Sequence, residues 1–131
     1  MIPKVCIIKY ISTYTIWKKV IKRSKYYSKK IIIDGIKFDS KKEGEHYQKL
    51  KILEKNGLIK DLELQKEYLL QESFKINGKT RRKITYRADF SYVSTEDGRL
   101  HVVDVKGFRT ELYRVKKKLF EYKYGIEIEE I

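Results

Sequence analysis

Asp104-Val105-Lys106 sets an acid and an amine two residues apart, which on a β-strand means one face and about 6 to 7 Å between them. The spacing alone carries no information, because Asp39-Ser40-Lys41 and Glu121-Tyr122-Lys123 repeat it. A hairpin singles out the first. Ile84, Tyr86, Ala88, Phe90 and Tyr92 alternate with Thr85, Arg87, Asp89 and Ser91, the period of a strand whose even residues all point one way. Asp97-Gly98 then turns the chain into a Val-rich stretch from Leu100 to Lys106. A two-residue turn predicts that Asp89 faces Lys106 and Ser91 faces Asp104. Asp89, Asp104 and Lys106 then converge within about 5 to 8 Å.

Two carboxylates so close repel each other and attract a hard divalent cation, with Mg²⁺ the usual choice where phosphate oxygens complete its shell. Such a cation lowers the pKa of a bound water and stabilises charge building on a phosphate. Asp89 and Asp104 are the expected ligands, the Val105 carbonyl a third, and Lys106 would orient the water. The bland alternative is a cross-strand salt bridge between Asp89 and Lys106 on a solvated face.

The surrounding pattern supplies elements to hold these residues. Ile31 to Phe38 reads as an extended segment turning at Asp34-Gly35. Ser40 is an N-cap with Glu43 three residues on, as in a capping box, and Tyr47, Leu50, Leu53 and Leu58 form the apolar stripe of a helix stopped by Asn56-Gly57. Leu62 and Leu64 alternate with Asp61, Glu63 and Gln65 as a half-buried strand continuing through Tyr68 and Leu70, and Asn77-Gly78 marks a turn. After the hairpin, Thr110 caps a second helix with Leu112, Val115, Leu119 and Tyr122 on one face; Gly125 closes it, and Ile126 and Ile128 begin a last strand. A parallel pair requires a crossover connection, and the helix between the third and fourth strands is of that kind, so the expected fold is α/β, in the order α-β-β-β-α-β, with a mixed sheet flanked by helices.

Charge points to the partner. The 131 residues carry a net +13, and residues 1–30 hold nine bases (Lys4, Lys9, Lys18, Lys19, Lys22, Arg23, Lys25, Lys29 and Lys30) and no acid. A basic extension over residues 1–29 thus precedes a domain over 30–131, and a polyanion, most simply nucleic acid, is the expected partner. No apolar run approaches the ~18 residues of a membrane span. No secretory signal is read, and the single Cys6 excludes both an internal disulfide and a cysteine zinc cluster.

Tyr-Arg-Ala-Asp-Phe (86–90) followed by Val-Val-Asp-Val-Lys-Gly (102–107) resembles the PD-(D/E)XK nuclease superfamily, whose restriction-endonuclease-like core has the element order predicted above. Phe-Asp-Ser-Lys-Lys-Glu (38–43), Leu-Glu-Leu-Gln (62–65) and Ala-Asp-Phe-Ser-Tyr (88–92) make the chain similar, over residues 25–131, to a family of small phage-encoded proteins of that type catalogued as a domain of unknown function. The resemblance implies Mg²⁺-dependent hydrolysis of DNA phosphodiester bonds, with Mn²⁺ able to substitute, in the cytoplasm of a bacterial host. It also implies that Glu43, the helix-borne acid, joins Asp89, Asp104 and Lys106 at the site. Ala88 stands where the motif has proline.

Branched or junction DNA is the expected substrate, since a compact nuclease without an appended recognition domain reads shape more readily than sequence; a homodimer would suit two-strand cleavage. The rival reading is a non-catalytic DNA-binding module on the same fold. Lys41, Lys42, Arg114, Lys117 and Lys118 are the cations expected to meet phosphates. Gln65 is a weaker site candidate, His46 stands one helical turn beyond Glu43, and His101 alternates away from Asp104.

Overall fold

The computed structural model describes residues 29–105 and 108–131; the basic extension through residue 28, and Lys106 with Gly107, lie outside the described residues. The strands Ile31–Ile33 (β1) and Ile36–Phe38 (β2) form a hairpin turning at Asp34-Gly35, as expected. It packs on the first helix, α1 (Lys41–Lys55), at Gly44, where an added methyl would lie 2.5 Å from Ile31 Cδ1. Ser40 caps α1 by accepting from the Glu43 N–H at 3.1 Å. Glu43 reaches back one residue further than a capping box predicts, accepting from the Asp39 N–H at 3.1 Å. Leu58 lies beyond the helix and is exposed; Ile59 fills the core in its stead.

Ile59–Leu64 (β3) and Glu67–Gln71 (β4) follow, then Phe74–Ile76 (β5), Lys79–Arg81 (β6), Ile84–Arg87 (β7), Phe90–Ser94 (β8) and Leu100–Asp104 (β9). The second helix, α2 (Glu111–Tyr124), leads to Ile128–Glu130 (β10). The central sheet is ordered β10-β9-β8-β3 and is mixed: β10 runs parallel to β9 across the α2 crossover, and the other pairs are antiparallel. The neighbours Val102 and Val103 belong to different core clusters, and adjacent residues of a strand point to opposite faces. Val103 joins Phe90, Ile59 and the α1 residues Tyr47 and Leu50, while Val102 joins Ala88, Tyr86, Tyr68, Ile128 and the α2 residues Tyr113 and Phe120. The two helices therefore cover opposite faces. No helix among the described residues is long and apolar enough to cross a membrane.

The strict alternation read from Ile84 to Tyr92 is broken. Tyr86 and Ala88 pack on the α2 side, Phe90 on the α1 side. The reversal falls at Ala88-Asp89, between β7 and β8, and its partner strand breaks at the same level, where Gln65 between β3 and β4 has φ of 55°. The two breaks are tied by Gln65 N–H to the Asp89 carbonyl at 3.1 Å and Ala88 N–H to the Lys66 carbonyl at 3.0 Å. One ribbon thus serves both helices, β3–β8 under α1 and β4–β7 under α2.

The β8–β9 turn also differs from expectation. Ser94 N–H donates to the Arg99 carbonyl at 3.0 Å and Gly98 N–H to the Ser94 carbonyl at 2.9 Å, so four residues, Thr95 to Gly98, make the loop. Gly98 takes a φ of 68°, Asp97 Oδ1 accepts the Arg99 N–H at 2.8 Å, and the Thr95 hydroxyl donates to the Gly57 and Leu58 carbonyls. Side-chain anchoring of both loop ends favours this longer turn over a two-residue one. The register moves by two, pairing Phe90 with Val103 and Tyr92 with His101; one pair further, Asp89 stands opposite Asp104 instead of Lys106. A shift of two preserves the face.

On α2 the buried face is not the aliphatic one. Leu112, Val115, Leu119 and Tyr122 are exposed, whereas Tyr113 and Phe120 are buried. Phe120 packs against Tyr68, Tyr86 and Tyr124 with ring centroids 5.0, 5.5 and 4.9 Å apart. Aromatic rings bury more area than the aliphatic stripe could and gain edge-to-face contact besides, so the helix rolls toward them.

His101 joins the β8–β9 loop to β10. Its ring stacks on Tyr92, Nδ1 lies 2.6 Å from Glu129 Oε1 and Nε2 lies 3.3 Å from Asp97 Oδ2. The Glu129 hydrogen bond, with help from Asp97, raises its pKa above the ordinary histidine value. A raised folded-state pKa contributes stability that is fully present below the unfolded pKa of ~6.5 and disappears as pH rises through the folded value. The melting-temperature gap between wild type and His101→Gln should therefore be wider at pH 6 than at pH 9; a gap independent of pH would remove the imidazolium from the account.

Candidate active site

Asp104 ends β9 and is completely buried. Its Oδ2 accepts a 2.6 Å hydrogen bond from the Tyr86 hydroxyl. Asp89 sits at the break between β7 and β8, where Oδ2 accepts from the Val105 N–H at 2.8 Å. The two carboxyl groups lie within hydrogen-bonding reach of each other; burial, then the Asp104 contact and charge, push the Asp89 carboxyl up to about 7. Burial and the bond to Asp104 raise the Tyr86 hydroxyl well above the ordinary tyrosine value, so it stays a proton donor to Asp104.

Glu43 enters from the first turn of α1 and is buried. Gln65 spans the gap between the elements: its amide Nε2 lies 3.4 Å from Glu43 Oε1 and 3.3 Å from Asp89 Oδ1. A left-handed backbone at a non-glycine residue costs about 1 to 3 kcal/mol, and here that conformation aims the amide between two acids. Among the described residues no three His, Cys, Asp or Glu side chains stand together closely enough to hold a metal ion. The close pair is Asp89 and Asp104, with Glu43 held beside it through Gln65.

A protein-family model, a family of unknown function designated DUF1064, matches residues 23–129. The chain belongs to that family. No curated protein and no solved structure matches it. The matched stretch of this DUF1064 protein contains Glu43, Gln65, Asp89, Asp104 and Lys106 and starts within the basic extension.

Of the residues singled out from the sequence, Glu43, Gln65, Asp89, Asp104 and Val105 come together, and Lys106 lies outside the described residues. The cations divide. Lys117 is drawn inward, its ammonium 2.9 Å from Glu130 Oε1 and 3.8 Å from Glu121 Oε1, so it locks α2 to β10. Arg114 pairs with Glu111 at 3.0 Å and Lys41 with Glu45 at 3.6 Å; Lys42 and Lys118 are exposed. His46 sets its ring edge against Phe90 at 5.4 Å, a packing role.

Tyr86 and the group around Glu130 escaped the sequence reading. Glu130 accepts from the Tyr113 hydroxyl at 3.1 Å and pairs with Arg109, and it stands beside Asp104 in the β9–β10 register. On an unbroken strand Tyr86 points away from Asp89. Only the reversal at Ala88-Asp89 brings its hydroxyl to the acids, and no residue type in Tyr-Arg-Ala-Asp-Phe announces that break.

Proposed function

We propose that the chain is a Mg²⁺-dependent endonuclease of the PD-(D/E)XK type that hydrolyses DNA phosphodiester bonds. The observation that carries the reading is the pairing of the half-buried Asp89 with the fully buried Asp104, where burial, and then the bond to Asp104 and its charge, push the Asp89 carboxyl up to about 7. Paired carboxylates that resist joint ionisation are relieved by a divalent cation, and Mg²⁺ is commonly held by one or two carboxylates with water and substrate phosphate completing its shell. The donor set therefore fits Mg²⁺: Asp89 and Asp104 would hold it, the Val105 carbonyl would be a third ligand, and Glu43 would act beside the ion, through Gln65 or a water. When bound, the ion supplies Lewis-acid stabilisation of phosphate charge and a water of lowered pKa. Tyr86 holds Asp104 in place, the Val105 amide holds Asp89, and Lys106 is the residue assigned to orient the water. The sequence of α1, β3, β8, β9, α2 and β10 around a mixed sheet supports the superfamily assignment.

Mn²⁺, a spectroscopically visible stand-in, tests the site. Wild type should hold it and the Asp89→Asn, Asp104→Asn double variant should not; equal binding by the folded double variant would overturn the assignment. Glu43→Gln separates capping from chemistry. Both Glu43 oxygens accept hydrogen bonds, from Asp39 and Gln65, and Gln can offer only one acceptor, so a loss of about 1 kcal/mol of stability is expected. Cleavage should fall by about tenfold or more, equivalent to ~1.4 kcal/mol of barrier. A variant less stable but equally active would make Glu43 a capping residue only.

A further inference from the structure

The hairpin β5–β6 is the part of the ribbon that neither helix covers. Every residue from Gln71 to Lys83 is exposed, and the extensive contacts of β5 and β6 are with each other. Its turn is Asn77-Gly78, both with positive φ, 49° and 71°, the two-residue geometry that matches the twist of paired strands. The turn is therefore tight and the arm is a defined ribbon. From Ser73 to Ala88 the sequence holds six bases (Lys75, Lys79, Arg81, Arg82, Lys83 and Arg87) and no acid. Among the described residues, none of the five on the arm, Lys75 to Lys83, forms an ion pair.

Register sorts the side chains. Phe74 pairs with Arg81 and Ile76 with Lys79, so these four share one face, and Lys75 with Thr80 takes the other. Phe74 and Ile76 are 46% and 50% exposed, each opposite a cation. The face therefore combines positive charge with exposed apolar surface. Nucleic acid suits both: the cations meet phosphates, and the apolar pair meets base faces where stacking is interrupted. A two-stranded ribbon is also of a size that fits a DNA groove.

We infer that the β5–β6 hairpin is a DNA-gripping arm whose Phe74 and Ile76 sit against unstacked bases of branched DNA while Lys79, Arg81 and Arg82 hold the flanking phosphates. The inference rests on the nuclease reading and names that site's substrate class. The arm continues the strands that carry Gln65 and Asp89, so at ~3.3 Å per residue Phe74 lies at most roughly 30 Å from the acids, under one turn of duplex.

The experiment is fluorescence anisotropy of the full chain on a labelled four-way junction and on linear duplex of the same sequence, in EDTA, across a salt series. The variant Lys79→Ser, Arg81→Ser, Arg82→Ser should bind both DNAs at least tenfold more weakly, with a slope of log affinity against log salt shallower by about 2 to 3. The variant Phe74→Ser, Ile76→Ser should lose about fivefold or more on the junction, little on the linear duplex, and keep its salt slope. Both variants should melt like wild type. Folded variants that bind both DNAs as wild type does would overturn the arm, as would a loss confined to a protein partner. The two readings fail separately: weakened binding by the variants with no Mg²⁺-dependent cleavage by wild type keeps the arm and sinks the nuclease, and the reverse pattern sinks the arm alone. A wild-type chain that binds neither DNA overturns both.

Discussion

Asp104→Asn should reduce Mg²⁺-dependent DNA cleavage by about a thousandfold or more, close to ~4 kcal/mol of barrier, while leaving the protein folded and bound to DNA. Asparagine has the shape of the aspartate and keeps an oxygen for the Tyr86 hydroxyl, now 2.6 Å from Oδ2. What it removes is the charge that makes the pair with Asp89 a cation site. Removing a buried negative charge also ends its repulsion of Asp89, whose high pKa derives in part from Asp104, so the melting temperature should hold or rise. Loss of activity through misfolding would show the opposite sign. A folded Asp104→Asn chain that cuts at the wild-type rate would leave the pair without a catalytic role.

Phe120→Ala should destabilise the domain by about 3 to 5 kcal/mol, the usual cost of emptying an aromatic site in a core. Phe120 is completely buried and its ring contacts Tyr68, Tyr86 and Tyr124. Tyr86 is also the donor to Asp104, so the cavity should loosen the acid as well as the core. Leu119→Ala is the control. Leu119 itself is 41% exposed, and surface substitutions usually stay within about 0.5 kcal/mol. Chemical denaturation of the two variants measures the roll of α2 directly; equal losses, or a larger loss for Leu119, would mean the aliphatic face is the buried one.

That pair of residues shows where sequence patterns stop deciding. Leu112, Val115, Leu119 and Tyr122 form as good an amphipathic stripe as Tyr113, Phe120 and Tyr124, and hydrophobic spacing cannot rank two stripes on one helix. The partners decide: Tyr68 and Tyr86 on the ribbon present aromatic faces to α2. Caps and turns are local chemistry and were legible, as at Ser40, Thr110, Gly125 and both hairpins closed by Asp34-Gly35 and Asn77-Gly78. The β8–β9 register differs by two because the anchors of its loop are long-range, with Thr95 bonding to Gly57 and Leu58 in the turn after α1. Asp89 and Asp104 still met, since parity survives a shift of two. The break at Ala88-Asp89 is non-local too: it answers Gln65 on the neighbouring strand, and it turns Tyr86 toward the acids.

We propose above that the acids around Asp104 cut DNA with a bound cation. The deciding assay incubates the purified full chain with four-way, flapped, nicked and linear DNA, in Mg²⁺ and in EDTA, beside Asp104→Asn prepared identically. Wild type should yield products in Mg²⁺, most from branched DNA, with none in EDTA and none from the variant. Wild type that cuts none of the four DNAs in Mg²⁺, or a variant that yields the same products, would contradict it.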